Sequence, residues 1–386
     1  MRYDASMKKA QKPRAHRTLL GGITPRQFLR EYWQKKPLLI RNAVAGFSGV
    51  LSAEELAGLA CEEDTQSRLI SQPKGKWRLE HGPFDEARFA KLSGKDWTLL
   101  VQGVNQHLPA AAELLQRFDF IPQARLDDLM VSYAPDGGGV GPHFDSYDVF
   151  LLQGQGKRLW RVSEQQDLTL VQGAELKILK NFHTEQEWLL EPGDMLYLPP
   201  QIAHWGIAVG DCMTYSIGFR APSTQELASH FLTFIQDKLD LPGMYADPDL
   251  KLQRHPAKIT GSMLKQVAKS IKKIKWDDAD VAEFLGRYLT EPKPDVVFDQ
   301  PRAMSIAKFQ QQLMRDGIQL SLKSQMLFHA QQFFINGELV QMSPDNAGLM
   351  RQLADSRSLP AGSFADIFLV EKLYEWYQAG YVKFPY

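Results

Sequence analysis

Gly137-Gly138-Gly139-Val140-Gly141-Pro142-His143-Phe144-Asp145 and, about sixty residues on, Pro199-Pro200-Gln201-Ile202-Ala203-His204 carry the residue types that hold a divalent metal. In an extended segment, side chains at i and i+2 share a face, so His143 and Asp145 point to one spot while Phe144 points away. A second imidazole from a distant strand completes a two-histidine, one-carboxylate set. Such a set takes one face of an octahedral iron(II) and leaves the other positions open. The predicted metal ligands and catalytic residues are therefore His143, Asp145 and His204. An H-x-D triplet also arises by chance, and its surroundings give it weight. Upstream, the glycines allow close backbone approach beside a ligand. Downstream, Leu190 to Pro200 reads as a Pro-Gly turn, a short apolar strand and a loop that delivers His204.

A third segment, Asp148 to Val162, reads as a buried strand, a turn through Gly154 and Gly156, and a second strand. On that strand Arg158, Trp160 and Val162 share one face, and Lys157, Leu159 and Arg161 the other. An Arg beside Trp and Val on an inward face needs an anionic partner. A dicarboxylate that chelates the metal at one end and offers its far carboxylate to Arg158 supplies one; a protein Asp or Glu is the alternative. Thr214 and Ser216, on one face of a later strand, could add a hydroxyl to the same carboxylate.

The G-P-H-x-D segment, the Gln-Gly-x-Gly-x-Arg-x-Trp segment and the E-P-G-D-x-L-Y-x-P-P-x-x-x-H segment together resemble the JmjC-type 2-oxoglutarate oxygenases. More narrowly, they resemble the bacterial ribosomal oxygenases that hydroxylate an arginine of large-subunit ribosomal protein sixteen. The resemblance is dense over residues 128–222 and looser at Phe28 to Arg41. It implies Fe(2+), with 2-oxoglutarate and O2 as co-substrates. It also implies a ribosomal protein substrate, a homodimer formed through a helical domain, and a C-terminal winged-helix-like domain.

The elements that must position these residues are legible in outline. From 128 to 220, runs of four to eight residues separated by Gly, Pro, Asp and Asn recur, among them Leu129–Tyr133, Val149–Gln153, Met195–Leu198 and Met213–Phe219. This spacing predicts a small antiparallel barrel or jelly roll whose inward side chains converge at one mouth. The expected fold is α+β, a double-stranded β-helix of the cupin or JmjC kind with helical and winged-helix-like additions. Its expected divisions are a basic disordered arm (1–20), a catalytic jelly roll with N-terminal helices (21–222), a helical dimerisation domain (223–295) and a winged-helix-like domain (296–386).

Thr24-Pro25 and Ser52-x-x-Glu55 are helix starts, as is Ser223-x-x-Glu226, where the chain turns helical. Leu264, Val267, Ile271 and Ile274 fall on one face of a later helix, surrounded by lysines in a stretch with no acid from Lys251 to Lys275. That charge reads as a solvated face, with weak ribosomal RNA contact as the option beside it. Pro292 to Pro301 reads as a linker, and Asn336-Gly337 as the turn of a β-hairpin.

In a chain of 386 residues, 44% hydrophobic and 23% charged with zero net charge, nothing advertises a nucleic-acid or membrane field. Cys61 and Cys212 are too few for a disulfide framework, and no apolar run reaches a membrane span. The expected location is cytoplasmic, with no membrane partner. The function read here is an iron- and 2-oxoglutarate-dependent protein hydroxylase. Two other readings are a ribosome or nucleic-acid binding protein with a non-catalytic cupin barrel, and a cupin metalloenzyme that acts on a small molecule without 2-oxoglutarate. For an arginine substrate the mouth needs a carboxylate. Asp136, in a Pro-Asp-Gly turn just before the glycine run, is the expected partner, with Tyr147 beside it.

Overall fold

The computed structural model describes residues 18–385 apart from Ser363 and Ala365. The basic arm falls almost wholly outside them. Its last residues depart from the expected disorder, since Leu19 and Leu20 are buried in the main core.

Eleven strands make the catalytic part: β1 (Leu38–Ile40), β2 (Ser67–Ser71), β3 (Arg78–His81), β4 (Trp97–Val101), β5 (Leu126–Ala134), β6 (Val149–Gln153), β7 (Lys157–Ser163), β8 (Gln186–Leu190), β9 (Met195–Leu198), β10 (Ala203–Val209) and β11 (Cys212–Phe219). They form an eight-stranded sheet, in the order β1-β9-β6-β11-β5-β4-β2-β3, and a three-stranded sheet, β10-β7-β8. All pairs are antiparallel, which gives the two-sheet jelly roll expected from the strand spacing.

The larger sheet is buried on both faces, which is why β6, β9 and β11 read as almost unbroken apolar runs rather than alternating ones. Its outer face carries Val131, Phe150, Tyr197, Ile217 and Phe219 against the N-terminal segments. There, helix α1 (Pro25–Glu31) is capped by the Thr24 side chain and started by Pro25, and it sends Phe28 into a ring cluster with Phe150 and Tyr197. Full burial of one such phenylalanine contributes roughly 1.5–3 kcal/mol. Helix α2 (Ala53–Leu59) carries the Ser52/Glu55 capping box. Short helix α3 (Glu86–Phe89) and helix α4 (Pro109–Gln116) complete this layer. The inner face packs Val149, Leu151, Leu196 and Leu198 against Trp160, Val162 and Leu190 of the smaller sheet.

After β11 the chain becomes helical as expected: α5 (Thr224–Lys238, with a Ser223/Glu226 capping box), α6 (Gly261–Ile271) and α7 (Asp278–Thr290). Among the described residues the apolar stripe of α6 is left uncovered, with Leu264 60% exposed. Contacts cross the boundary expected at 295. The Arg287 guanidinium donates to Gly337 O and Gly337 N–H donates to Thr290 Oγ1, so α7 packs against the C-terminal hairpin.

That module contains α8 (Ile306–Asp316), β12 (Ile318–Leu320), the meander β13 (Met326–His329), β14 (Gln332–Ile335) and β15 (Glu338–Gln341), then α9 (Pro344–Ser356), β16 (Ser358–Leu359), α10 (Ile367–Gln378) and β17 (Val382–Lys383). Asn336 and Gly337, both at positive φ, form the predicted turn between β14 and β15. Among the described residues no helix is long and apolar enough to cross a membrane.

Candidate active site

The two histidines face each other across a backbone bridge. His143 N–H donates to His204 O at 2.9 Å and His204 N–H returns to His143 O at 2.8 Å. His204 is the second residue of β10, so the loop expected to deliver it is in fact the start of a strand paired along β7. His143 makes only that isolated bridge, within a loop from β5 to β6, and Asp145 lies outside any strand. The loop is pinned to β10 and to the turn before it: Gly137 N–H donates to Ala208 O, Ala208 N–H to Gly138 O, and Gln201 N–H to Asp145 O. The glycines therefore serve backbone packing rather than a ligand. A Cβ at Gly138 would lie 2.1 Å from Trp97 O, and one at Gly139 would lie 2.4 Å from Gly206 O.

The donor atoms of His143, Asp145 and His204 all lie within 4.8 Å of one another. His204 Nε2 is 3.7 Å from Asp145 Oδ2, and the two imidazole centroids are 4.2 Å apart. Each imidazole places Nδ1 2.9 Å from the carbonyl oxygen two residues before it, Gly141 for His143 and Ile202 for His204. A carbonyl only accepts, so Nδ1 carries the proton and Nε2 keeps its lone pair for a metal. Burial, then the neighbouring His143, lowers the His204 pKa to about 4 against the opposing pull of Asp145. The ring is thus neutral at ordinary pH, the form that coordinates.

Arg158 lies on the inward face of β7 with Trp160 and Val162 and is 5% exposed. Its Nη1 reaches only Ser132 Oγ, at 3.4 Å, while Nε and Nη2 are buried without a partner. Among the described residues no carboxylate pairs with it, so the protein-acid alternative is not realised. A buried, unsatisfied guanidinium beside a metal triad fits a ligand that brings its own carboxylate. Of the two expected hydroxyls, Thr214 Oγ1 donates to Gln153 Oε1 at 3.0 Å, and Ser216 is buried on the same face. The hydroxyl that touches Arg158 is that of Ser132, opposite Thr214 in the β5–β11 pairing. Its signal was the inward alternation Asp128, Met130, Ser132 along β5.

Asp136, expected at the mouth, lies beside the far end of β10. Its carboxylate accepts from Gly210 N–H at 2.8 Å, at the β10–β11 turn, six residues along from His204. At about 3.3 Å per residue that is roughly 20 Å from the triad. Asp148, by contrast, is wholly buried and structural, accepting from Tyr197 Oη at 2.6 Å and Gln34 Nε2 at 2.9 Å.

A second carboxylate, Asp128, is buried on the inner face of β5, the face that carries Ser132, and is held by Gly103 N–H at 2.9 Å. Burial, then Asp127, raises its pKa. Tyr147 keeps part of its ring in solvent. Burial, then the charges of Asp145 and Asp128, holds its hydroxyl above the ordinary phenol range. His183, expected at the surface, is indeed exposed and pairs with Glu185.

A jelly roll with two histidines and one carboxylate at its mouth, and a free arginine inside, is the architecture of a 2-oxoglutarate-using JmjC oxygenase. The JmjC domain family matches residues 113–227, and the ROXA-like winged helix family matches residues 273–383, taking in α7. Over 278 residues the chain is 38% identical to the ribosomal protein uL16 3-hydroxylase of Escherichia coli, covering 71% of this chain and 73% of that protein. A probable ribosomal oxygenase of Haemophilus influenzae is 40% identical over 235 residues, covering 60% of this chain and 56% of that one. Among solved structures, YcfD, a ribosomal oxygenase from E. coli in complex with cobalt and 2-oxoglutarate, superposes with a TM-score of 0.80 at 32% identity, covering 94% of this chain and 98% of that chain. The chain belongs to the JmjC-domain ribosomal oxygenase family.

Proposed function

We propose that this protein is an Fe(II)- and 2-oxoglutarate-dependent hydroxylase of a ribosomal protein of the uL16 type, acting on an arginine side chain. The observation that carries the reading is Arg158, a buried cation with no carboxylate paired to it among the described residues, together with the His143, Asp145, His204 set. The names of the relatives, and the cobalt and 2-oxoglutarate bound in one of them, support the same reaction.

His143, Asp145 and His204 would hold the iron. Arg158 and Ser132 would hold the far carboxylate of 2-oxoglutarate, with Thr214 and Ser216 lining the same pocket. When bound, iron(II) would supply the activation of O2, the oxidant, with one oxygen atom going to an unactivated C–H and the other to the succinate left when 2-oxoglutarate loses carbon dioxide. The protein's own part is placement. Nδ1 of each histidine is fixed by a backbone carbonyl, so neither ring can turn. The apolar inner face around Trp160 and Val162 keeps water from the pocket. Asp128, in place of Asp136, would take the guanidinium, which cannot shed its proton and needs an acceptor, and Tyr147 would flank it.

The exposed stripe Leu264, Val267, Ile271 on α6 supports a homodimer through the helical region. The stretch between Lys251 and Lys275 makes no ion pair among the described residues, so it also supports a weak ribosomal RNA contact; a cytoplasmic location suits such a substrate. The test is stoichiometric succinate release with one-oxygen mass gain on uL16, mapped to an arginine. Succinate release without that gain, or a gain on another residue type, refutes the arginine assignment.

A further inference from the structure

The cleft continues past the metal. β10, the edge of the smaller sheet, lies over β11 and β5, where Ala208 meets Ala134 and Cys212. Beyond that edge the larger sheet runs on through β4, β2 and β3, and its inner face mixes the apolar Leu100 and Ile70 with the polar Thr98 and Arg68. Arg68 on β2 sits on this face, because Leu69 beside it points into the opposite core. In the pairing register Arg68 lies opposite Leu100, and Leu100 opposite Ser132, so Arg68 shares a rung with the residue that touches Arg158.

Its side chain is poorly satisfied. Nη2 rests on Met130 Sδ at 3.8 Å, a weak acceptor, and Nε is buried with no partner. No carboxylate pairs with it among the described residues. Of the nearby acids, Asp127 pairs with Arg220 and Lys293 and Asp145 belongs to the triad, while Asp128 feels the charge of Arg68 without forming an ion pair with it. A half-buried guanidinium on the inner face of the sheet, with Nε buried and unpaired, is completed by an acceptor that comes from outside the described residues.

We infer that Arg68 is a specificity-determining residue that binds an oxygen acceptor on the polypeptide substrate, near but not at the hydroxylated side chain. Nη2 rests on Met130 of β5, which shares a strand face with Asp128 two residues away, so the acceptor that Arg68 binds lies within about one or two residues of the target. It is either a backbone carbonyl or an Asp or Glu carboxylate at that distance. The inference rests on the polypeptide-hydroxylase reading above, and deepens it by naming what recognises the flanking sequence.

The experiment measures calorimetric binding of a uL16 peptide, centred on its hydroxylated arginine, to full-length protein loaded with manganese(II) and 2-oxoglutarate. Variants are Arg68→Ala, Arg68→Gln and Arg68→Lys. Loss of a charge-assisted bond should raise the peptide Kd about tenfold to a hundredfold in Arg68→Ala, with partial rescue by Lys. The 2-oxoglutarate Kd should stay within about twofold. A second peptide, with every Asp and Glu amidated to Asn or Gln, separates the sources. An effect of Arg68→Ala that persists on it assigns a backbone carbonyl; one that vanishes assigns a carboxylate. An unchanged peptide Kd overturns the inference, as does equal weakening of 2-oxoglutarate binding. Unfolding of both the Ala and Gln variants makes Arg68 structural and overturns it too. Hydroxylation of the peptide by the unaltered protein is the control: its absence sinks the hydroxylase reading itself, whereas its presence with Arg68-independent binding sinks only this inference.

Discussion

Replacing Arg158 with Met should move stability and co-substrate affinity in opposite directions. In the free protein the guanidinium is buried, touches one hydroxyl at 3.4 Å, and leaves Nε and Nη2 without partners. A cation held that way is a liability that an apolar chain of similar length removes, so the apo variant should gain about 1–3 kcal/mol. With 2-oxoglutarate bound, the same change strips the partner from an incoming buried carboxylate. That costs about 3–5 kcal/mol, or about a hundredfold to several thousandfold in Kd. Thermal unfolding with and without 2-oxoglutarate and manganese(II) reads both effects. The unaltered protein should show a large ligand-induced rise in Tm, and Arg158→Met a higher starting Tm and almost no rise. The reasoning is refuted if Arg158→Met binds 2-oxoglutarate normally, or if its apo form is the less stable one.

Asp145→Asn removes the one anionic ligand and should weaken cobalt(II) binding at least tenfold in a spectroscopic titration, with circular dichroism unchanged; native-like cobalt affinity would dismiss the triad. Asp128→Asn should raise the KM for an arginine peptide about tenfold or more while 2-oxoglutarate binds as before, whereas Asp136→Asn should leave that KM unaltered and act only on the β10–β11 turn. Were Asp136→Asn the more damaging, the mouth has been misread. Gly138→Ala drives a methyl to within 2.1 Å of Trp97 O and should destabilise the fold by about 1–3 kcal/mol in urea unfolding. Native-like stability would show that the loop can move off β4.

The sequence was most informative where local chemistry decides the outcome. The Ser52 and Ser223 capping boxes, the Asn336-Gly337 turn and the strands β6 and β9 follow from short-range rules, and the structure carries all of them. Arg158 was legible because alternation along β7 puts it on the same face as Trp160 and Val162. What failed was inference from closeness along the chain. Asp136 stands seven residues before His143, yet the intervening loop runs back along β10 and carries it to the far end of that strand. Asp128 is twice as far away in sequence, yet β5 carries it on the same inner face as Ser132, which touches Arg158. β10 itself was hidden because His204 and Gly206 are poor strand formers held in place by pairing with β7. The docking of α7 on the hairpin depends on Phe334 packing against Gly286, a contact between distant residues that no local pattern announces.

The reciprocal bridge between His143 and His204 has a consequence for metal choice. Two residues that exchange both backbone hydrogen bonds have a fixed separation, about 5.5 Å between Cα atoms. The span between the two imidazoles is therefore cast by the main chain before any ion arrives. Asp145 sits outside the strands, anchored through its carbonyl to Gln201 N–H. Its side chain is the adjustable jaw of a vice whose other jaw is rigid. Ions of different radius should be accommodated by movement of the carboxylate alone, so the site can be emptied and refilled with a larger or smaller cation while the barrel around it stays still.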